Sequence, residues 1–391
     1  MKIQLTIYGL LLWTGLQAQE SVDEVMHQIE MNNQTLKVMR QTTEAVKLDN
    51  RMGLNPANPK VEFGYLWGSP EAIGNRQDLS ITQEFDFPTA YHYRRKMSES
   101  LNQQVDVTYQ MRRTEVMLEA RELCYQMVYL NAYAEALAVR LTHAEKIASA
   151  YHAMFKEGEA NILERNKADL NLLNARKELE ANATEQKTVL LQLAALNGGN
   201  PIEIKTTRLP DALVPLNFDD WFSQYVDAIP QYVLQKQGIE VNQLNEKLNK
   251  ALNLPKVSAG YTLENVVGEQ YQGVTVGLSI PLWENKNTVK KVKAEGLAAQ
   301  SRVEDTRLYL YHGLKVLHEK ALQLKRMDQD YQQALQSLNN TDLLTTALEA
   351  GEISILEYLM EIQIYYDTVN KALDVRRELQ LAAARLQAYQ P

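Results

Sequence analysis

The sequence predicts a mainly α-helical protein with a membrane-embedded β part, made from one structural unit used twice. Three observations carry this. First, Pro59-Lys60-Val61-x-x-Gly64-Tyr65 returns as Pro255-Lys256-Val257-x-x-Gly260-Tyr261, 196 residues on, and Gly158-Glu159-x-x-Ile162-Leu163-Glu164 returns as Gly351-Glu352-x-x-Ile355-Leu356-Glu357, 193 residues on. Nearly equal offsets that preserve motif order mark a duplicated unit. Second, each repeat holds a very long run of heptad-patterned helix formers, a glycine and another helical run. Third, each repeat holds a pair of segments in which apolar and polar residues alternate, as in strands with one face on an apolar medium.

The chain opens with Lys2, an apolar run from Ile3 to Leu16 and then Gln17-Ala18-Gln19-Glu20, which reads as a secretory signal over residues 1–18 cleaved after Ala18. An N-terminal anchor is the alternative, although the run falls short of the ~20 apolar residues a spanning helix needs. No other segment could cross a bilayer as a helix, so insertion must be as a barrel. The only cysteine, Cys124, sits inside a helical pattern, which excludes an intrachain disulfide, argues against a lipid-anchored amino terminus and marks a buried thiol. A net charge of −8, without basic residues clustered beside aromatics, argues against nucleic acid as a partner.

The first repeat spans 19–197, a linker follows over 198–217, and the second repeat spans 218–391. No proline or glycine interrupts Ala90 to Phe155. Val116, Leu123, Leu130, Leu137, Ala144 and Tyr151 step by seven, and Ala120, Met127, Ala134, Leu141, Ala148 and Phe155 form a second such series. This is the seam of a coiled coil, in a helix roughly 100 Å long at 1.5 Å per residue. Two helical hairpins are therefore expected, 90–155 with 161–196 and 286–350 with 354–388, turning at Gly158 and Gly351. Asn182 and Gln186 interrupt the returning seam of the first, where a dry coiled coil would place apolar residues.

Four strands are expected, over 60–67, 77–87, 256–264 and 271–283, with the length and alternation of outer-membrane strands. Tyr65, Trp67, Phe85, Phe87, Tyr261 and Trp283 are candidates for an aromatic girdle at the lipid boundary. A small soluble sheet with one buried face would alternate in the same way. Four strands cannot close a barrel, and an open edge in lipid leaves backbone groups without partners. Subunits must therefore pool their strands. Two would supply eight and three would supply twelve.

The doubled order of helix, strand pair, long helix, glycine break and helix, with the two Gly-Glu-x-x-Ile-Leu-Glu tips, resembles the TolC-like outer-membrane efflux channels over nearly the whole mature chain. Asn58 to Tyr65 and Leu79 to Phe85 look most like the heavy-metal-efflux, CzcC-like branch. The resemblance implies a homotrimer with a twelve-stranded barrel in the outer-membrane lipid, continuous with a twelve-helix tunnel through the periplasm. It implies a passive exit duct of a tripartite pump, conducting small molecules or metal ions. The hairpin tips would meet a periplasmic adaptor, the membrane fusion protein, fed by an inner-membrane pump of the resistance-nodulation-division type.

Carried over residue by residue, the family's entrance-narrowing carboxylate falls on Glu357. Ile353 and Met360 stand where the family has an arginine and a second acid, so the closing salt-bridge network departs from its pattern and Glu361 would substitute. Glu164 is the equivalent position of the first hairpin. Ser354-x-x-Glu357 and Asn161-x-x-Glu164 are also capping-box patterns, which makes helix capping the competing role. The adaptor-docking tips implied are Lys156, Glu157, Gly158 and Glu159 on one hairpin and Glu349, Gly351 and Glu352 on the other. Neither a catalytic constellation nor a cofactor motif is present, and the six histidines fit no metal-ligand spacing. The exit duct of a type I protein-secretion system has the same architecture. A periplasmic coiled-coil adaptor or scaffold accounts for the hairpins but not for the duplicated strands.

Overall fold

The computed structural model describes residues 22–338 and 340–389; the expected signal segment lies outside them. Two short helices, α1 (Val22–Asn32) and α2 (Gln34–Asp49), lead to strands β1 (Lys60–Leu66) and β2 (Arg76–Phe85). The long α3 (Pro88–Glu157) and α4 (Ile162–Leu196) follow. After the linker come α5 (Phe218–Tyr225), α6 (Pro230–Ala251), β3 (Lys256–Val266), β4 (Glu269–Ser279), α7 (Thr288–Ser337), α8 (Thr341–Glu349) and α9 (Ile355–Gln387). The described residues divide into two compact units: a hairpin unit (22–33, 119–212 and 324–381) and a sheet unit (34–118, 213–323 and 382–389).

In the hairpin unit the heptad pattern becomes a buried seam: Ala120, Met127, Leu130, Leu137, Ala144, Ala148 and Tyr151 of α3 are all buried. From α4, Ala168, Ala175, Val189 and Leu193 are buried as well. Of the two polar interruptions of that seam, Asn182 bonds the backbone of α3 and Gln186 steadies Asn131, which holds the linker. Asn182 donates from Nδ2 to the Leu130 carbonyl at 3.1 Å, and Gln186 donates from Nε2 to Asn131 Oδ1 at 2.9 Å. Asn131 in turn donates to the carbonyls of Ile204 and Thr206 at 2.7 and 3.1 Å. With Ile202 and Ile204 buried, the segment after α4 is moored to the hairpin, and the polar side chains replace the partners that an irregular backbone lacks. Burial pushes the Cys124 thiol up to about 12, which makes it an inert packing group.

The second long helix departs from expectation. Residues 286–350 were expected to run unbroken, but α7 stops at Ser337 and α8 starts at Thr341. The sequence there is Ser337-Leu338-Asn339-Asn340-Thr341, and short polar side chains compete with the helix for its own backbone. Ser337 Oγ already bonds the Gln333 carbonyl at 2.9 Å.

The sheet unit contains one four-stranded antiparallel sheet in the order β1-β2-β3-β4. Its register is continuous across all strands: Val61 faces Ile81, Ile81 faces Tyr261 and Tyr261 faces Val274. The helical part of this unit packs Phe218 and Phe222 of α5 against Tyr311 of α7, with Trp221 beside Phe218 and His318 Nε2 2.7 Å from the Pro215 carbonyl.

Candidate functional site: hairpin tips and a two-faced sheet

Each tip is built from the same three parts. At the end of α3, Gly158 takes φ +80°, a left-handed conformation that costs glycine nothing, while the N–H of Glu159 closes on the Met154 carbonyl at 2.8 Å. Asn161 then caps α4, accepting from the N–H groups of Leu163 and Glu164 at 2.9 and 3.0 Å, and Glu164 accepts from the Asn161 N–H at 2.8 Å. At the other tip Gly351 has φ +72° and the Glu352 N–H closes on Ala347 at 2.9 Å. Glu357 accepts from the Ser354 N–H at 2.8 Å, and the Glu357 N–H donates to Ser354 Oγ at 3.2 Å. Both glutamates are thus engaged in capping boxes. The Ser354 N–H holds the Glu357 carboxyl below its ordinary range.

Behind the tips the hairpins share one core. Ile355, Tyr358 and Ile362 of α9 pack with Ile147, Ala148 and Tyr151 of α3, with Ala160 of the first tip and with Ala168 of α4. Lys156, Glu157, Gly158 and Glu159 are exposed, as are Glu349, Gly351 and Glu352. Glu164 is half-buried, whereas Glu357 and Glu361 are exposed one turn apart on α9. Beside that carboxylate row runs an exposed apolar one, Leu356, Met360 and Ile364.

One feature of this unit escaped the sequence reading. Arg140 is buried, donates from Nη2 to the Tyr366 carbonyl at 3.0 Å and to Asn370 Oδ1, and lies 3.6 Å from Glu178. Its guanidinium also stacks over the Tyr366 ring at 4.5 Å, and His143 Nδ1 meets the Tyr366 hydroxyl at 2.9 Å. A single cation therefore ties α3 to α4 and α9. The only hint in the sequence was an arginine amid alanine, valine and leucine.

The sheet has two unlike faces. On one, cross-strand rows read Phe63-Leu79-Leu263-Gln272, Val61-Ile81-Tyr261-Val274, Gln83-Ala259-Val276 and Phe85-Val257-Leu278. This face is apolar and open: Phe63 is 69% exposed, Val274 84% and Val276 81%. The opposite face reads Lys60-Thr82-Gly260-Thr275, Glu62-Ser80-Thr262-Gly273 and Gly64-Asp78-Glu264-Tyr271, mostly polar or side-chain-free, and ends at the turns in Leu66-Arg76-Val266-Glu269. Arg76 there lies 2.8 Å from Asp78 and 3.0 Å from Glu264. Among the described residues, β1 and β4 each pair on one edge only.

The aromatic candidates fall at different levels. Tyr65 and Trp67, in edge contact at 5.4 Å, mark the turn end of β1. Phe85 ends β2, while Phe87 and Trp283 lie just past the ends of β2 and β4, on the way into α3 and α7. Tyr261 is central in β3, where its hydroxyl donates to Gln272 Oε1 at 2.7 Å. Among the described residues, no group of three or more His, Cys, Asp or Glu could hold a metal ion. No described helix is long and apolar enough to cross a membrane.

No family model matches the sequence, and no curated protein matches it. Solved structures do match. CusC, described through folding and transmembrane channel formation, superimposes with a TM-score of 0.80 at 12% identity, over 95% of this chain and 92% of that one. The CmeC outer membrane channel of Campylobacter jejuni gives 0.78 at 14%, over 94% and 85%. The open MtrE outer membrane channel of Neisseria gonorrhoeae gives 0.69 at 12%, over 94% and 88%. The chain has the fold of these outer-membrane channels, which are not enzymes, and the likeness to the TolC-like group holds at the level of fold.

Proposed function

We propose, from the fold shared with these channels, that the chain is one subunit of an outer-membrane exit duct that passively conducts small molecules or metal ions. Three subunits pool their sheets into a twelve-stranded barrel, and their six hairpins form a twelve-helix tunnel below it. The carrying observation is the sheet: an exposed apolar face, an opposite polar face and two edge strands that each pair on one side only among the described residues. In lipid such a sheet is stable only when closed, with its apolar side outward and its polar side on water. Tyr65 and Trp67 then sit at the outer lipid boundary and Phe85, Phe87 and Trp283 at the inner one.

At the other end, Glu357 and Glu361, with Glu164 at the equivalent first-hairpin position, line the entrance. Three copies of each acid would favour cations. The tips at Lys156 to Glu159 and Glu349 to Glu352 dock a periplasmic adaptor that couples the duct to an inner-membrane pump. The test is extraction from the outer-membrane fraction, mass determination in detergent and conductance in a planar bilayer. A conducting trimer is expected; a monomer soluble without detergent would overturn the reading.

A further inference from the structure

Both strand pairs hand over to helices at one end of the sheet, since Phe85 at the end of β2 is level with Val257 and Val257 with Leu278 near the end of β4. A cleft of about 660 Å3 opens there, lined by Phe85, Phe87, Tyr91 and Val257 together with His92 and Arg95. Asp86, also in its wall, is already paired with Arg94 at 2.6 Å. Arg95 has no such acid, and the same holds for Lys96, Lys286 and Lys290: all four are exposed, with no ion-pair partner among the described residues.

The protein carries a net −8, and α4, α5 and α9 each place an acid in the first turn, where the helix dipole favours it. The helices α3 and α7, which follow strands, place none, and neither do α2 and α6. Lys290 and Lys291 instead stand in the first turn of α7, against its dipole. Lys291 is paired with Glu295 at 3.5 Å, but Lys290, Arg95, Lys96 and Lys286 have no ion-pair partner among the described residues, and such cations are suited to an external anion. Their continuity with an apolar sheet face specifies an anion attached to hydrocarbon.

We propose that this junction binds the phosphate headgroup of an anionic phospholipid. Arg95 is the principal contact, Lys96, Lys286 and Lys290 extend the positive surface, and the first acyl carbons lie over Phe85, Phe87 and Val257. The proposal rests on the barrel reading, which places this end of the sheet at the inner lipid boundary. A free phosphate ion would use the cations but gain nothing from the apolar wall.

The test uses the purified full-length oligomer, reconstituted into vesicles of phosphatidylethanolamine with or without phosphatidylglycerol, and native mass spectrometry of retained lipid. Wild type retains phosphatidylglycerol in preference to phosphatidylethanolamine. Arg95→Gln with Lys96→Gln weakens that retention about fivefold per charge removed, while Arg95→Lys preserves most of it. Equal retention of the two lipids, an unchanged double variant, or equal thermal stabilisation by inorganic phosphate overturns the lipid site while the barrel stands. Failure to enter either kind of vesicle overturns the barrel reading, and this proposal with it.

Discussion

The two hairpins carry nearly the same tip on different stalks. The first rises on an unbroken helix of 70 residues, whereas the second rises on a helix of 50 that ends at Ser337 and another of 9 that starts at Thr341. No residue of α8 is fully buried, and Asn340 caps it without a side-chain hydrogen bond. The glycine turn and capping box are local devices that form wherever their few residues occur. Helix continuity depends on a long stretch of composition, which the second repeat relaxes with Gly296, Gly313 and the Asn339-Asn340 pair. The second hairpin therefore holds its place less by its own stiffness than by what it packs against.

Arg140 is the sharpest way to test that contrast. Removing it in Arg140→Ala leaves the Tyr366 carbonyl and Asn370 short of a charged donor, at a cost of about 2–3 kcal/mol. Urea denaturation should show that loss, and hydrogen exchange should locate it in residues 355–370 of α9 rather than along α4. Uniform loosening of both hairpins would break the comparison. Next come the caps. Asn161→Ala and Ser354→Ala should each cost about 1 kcal/mol, with exchange spreading further from the second tip because α8 offers it few buried contacts.

Joining the broken stalk is a smaller and opposite change. Asn339→Ala with Asn340→Ala should gain roughly 0.5 kcal/mol per residue and protect amides across 337–341; a break that persists would mean tertiary contacts impose it. The smallest effect is pH-dependent. The folded pKa of Glu357 lies below its ordinary value, so its capping contribution is complete above the ordinary glutamate range and is lost as pH falls through the lowered value. The second tip should fray in that acidic window, as seen by exchange at 354–358. Glu357→Gln should remove this pH response and, in bilayers, reduce cation preference. Unchanged selectivity would leave Glu357 a cap alone.

Much of the fold was legible because its determinants are periodic. A seven-residue step over α3 and a two-residue step over β1 to β4 are properties of runs, readable without knowing what the run touches. Gly158 and Gly351 were legible as turns, and Asn161 and Ser354 as caps, because their partners lie within a few positions. What escaped depends on distant partners. Arg140 meets residues 226 and 230 positions away, Asn182 bonds a carbonyl 52 positions away, and the purpose of Gln186 emerges only once Asn131 holds residues 204 and 206. The strand ends were misjudged by a few residues at Trp67, Phe87 and Trp283, where alternation runs on past the last ladder bond.

In its middle the polar side of the sheet presents little longer than a hydroxymethyl group, with glycine at 260, 273 and 277 among Ser80, Thr82, Ser258, Thr262 and Thr275, while Lys60, Glu62, Arg76, Asp78 and Glu264 stand around that patch. At Gly260 even a methyl would meet the Ile81 carbonyl and the Thr275 hydroxyl at 2.8 Å. Rolled into a closed wall, such a surface leaves the main chain itself to define the clearance. Passengers of quite different shapes would slide past that smooth patch, and any discrimination among them would fall to the charged side chains around it or to another part of their route.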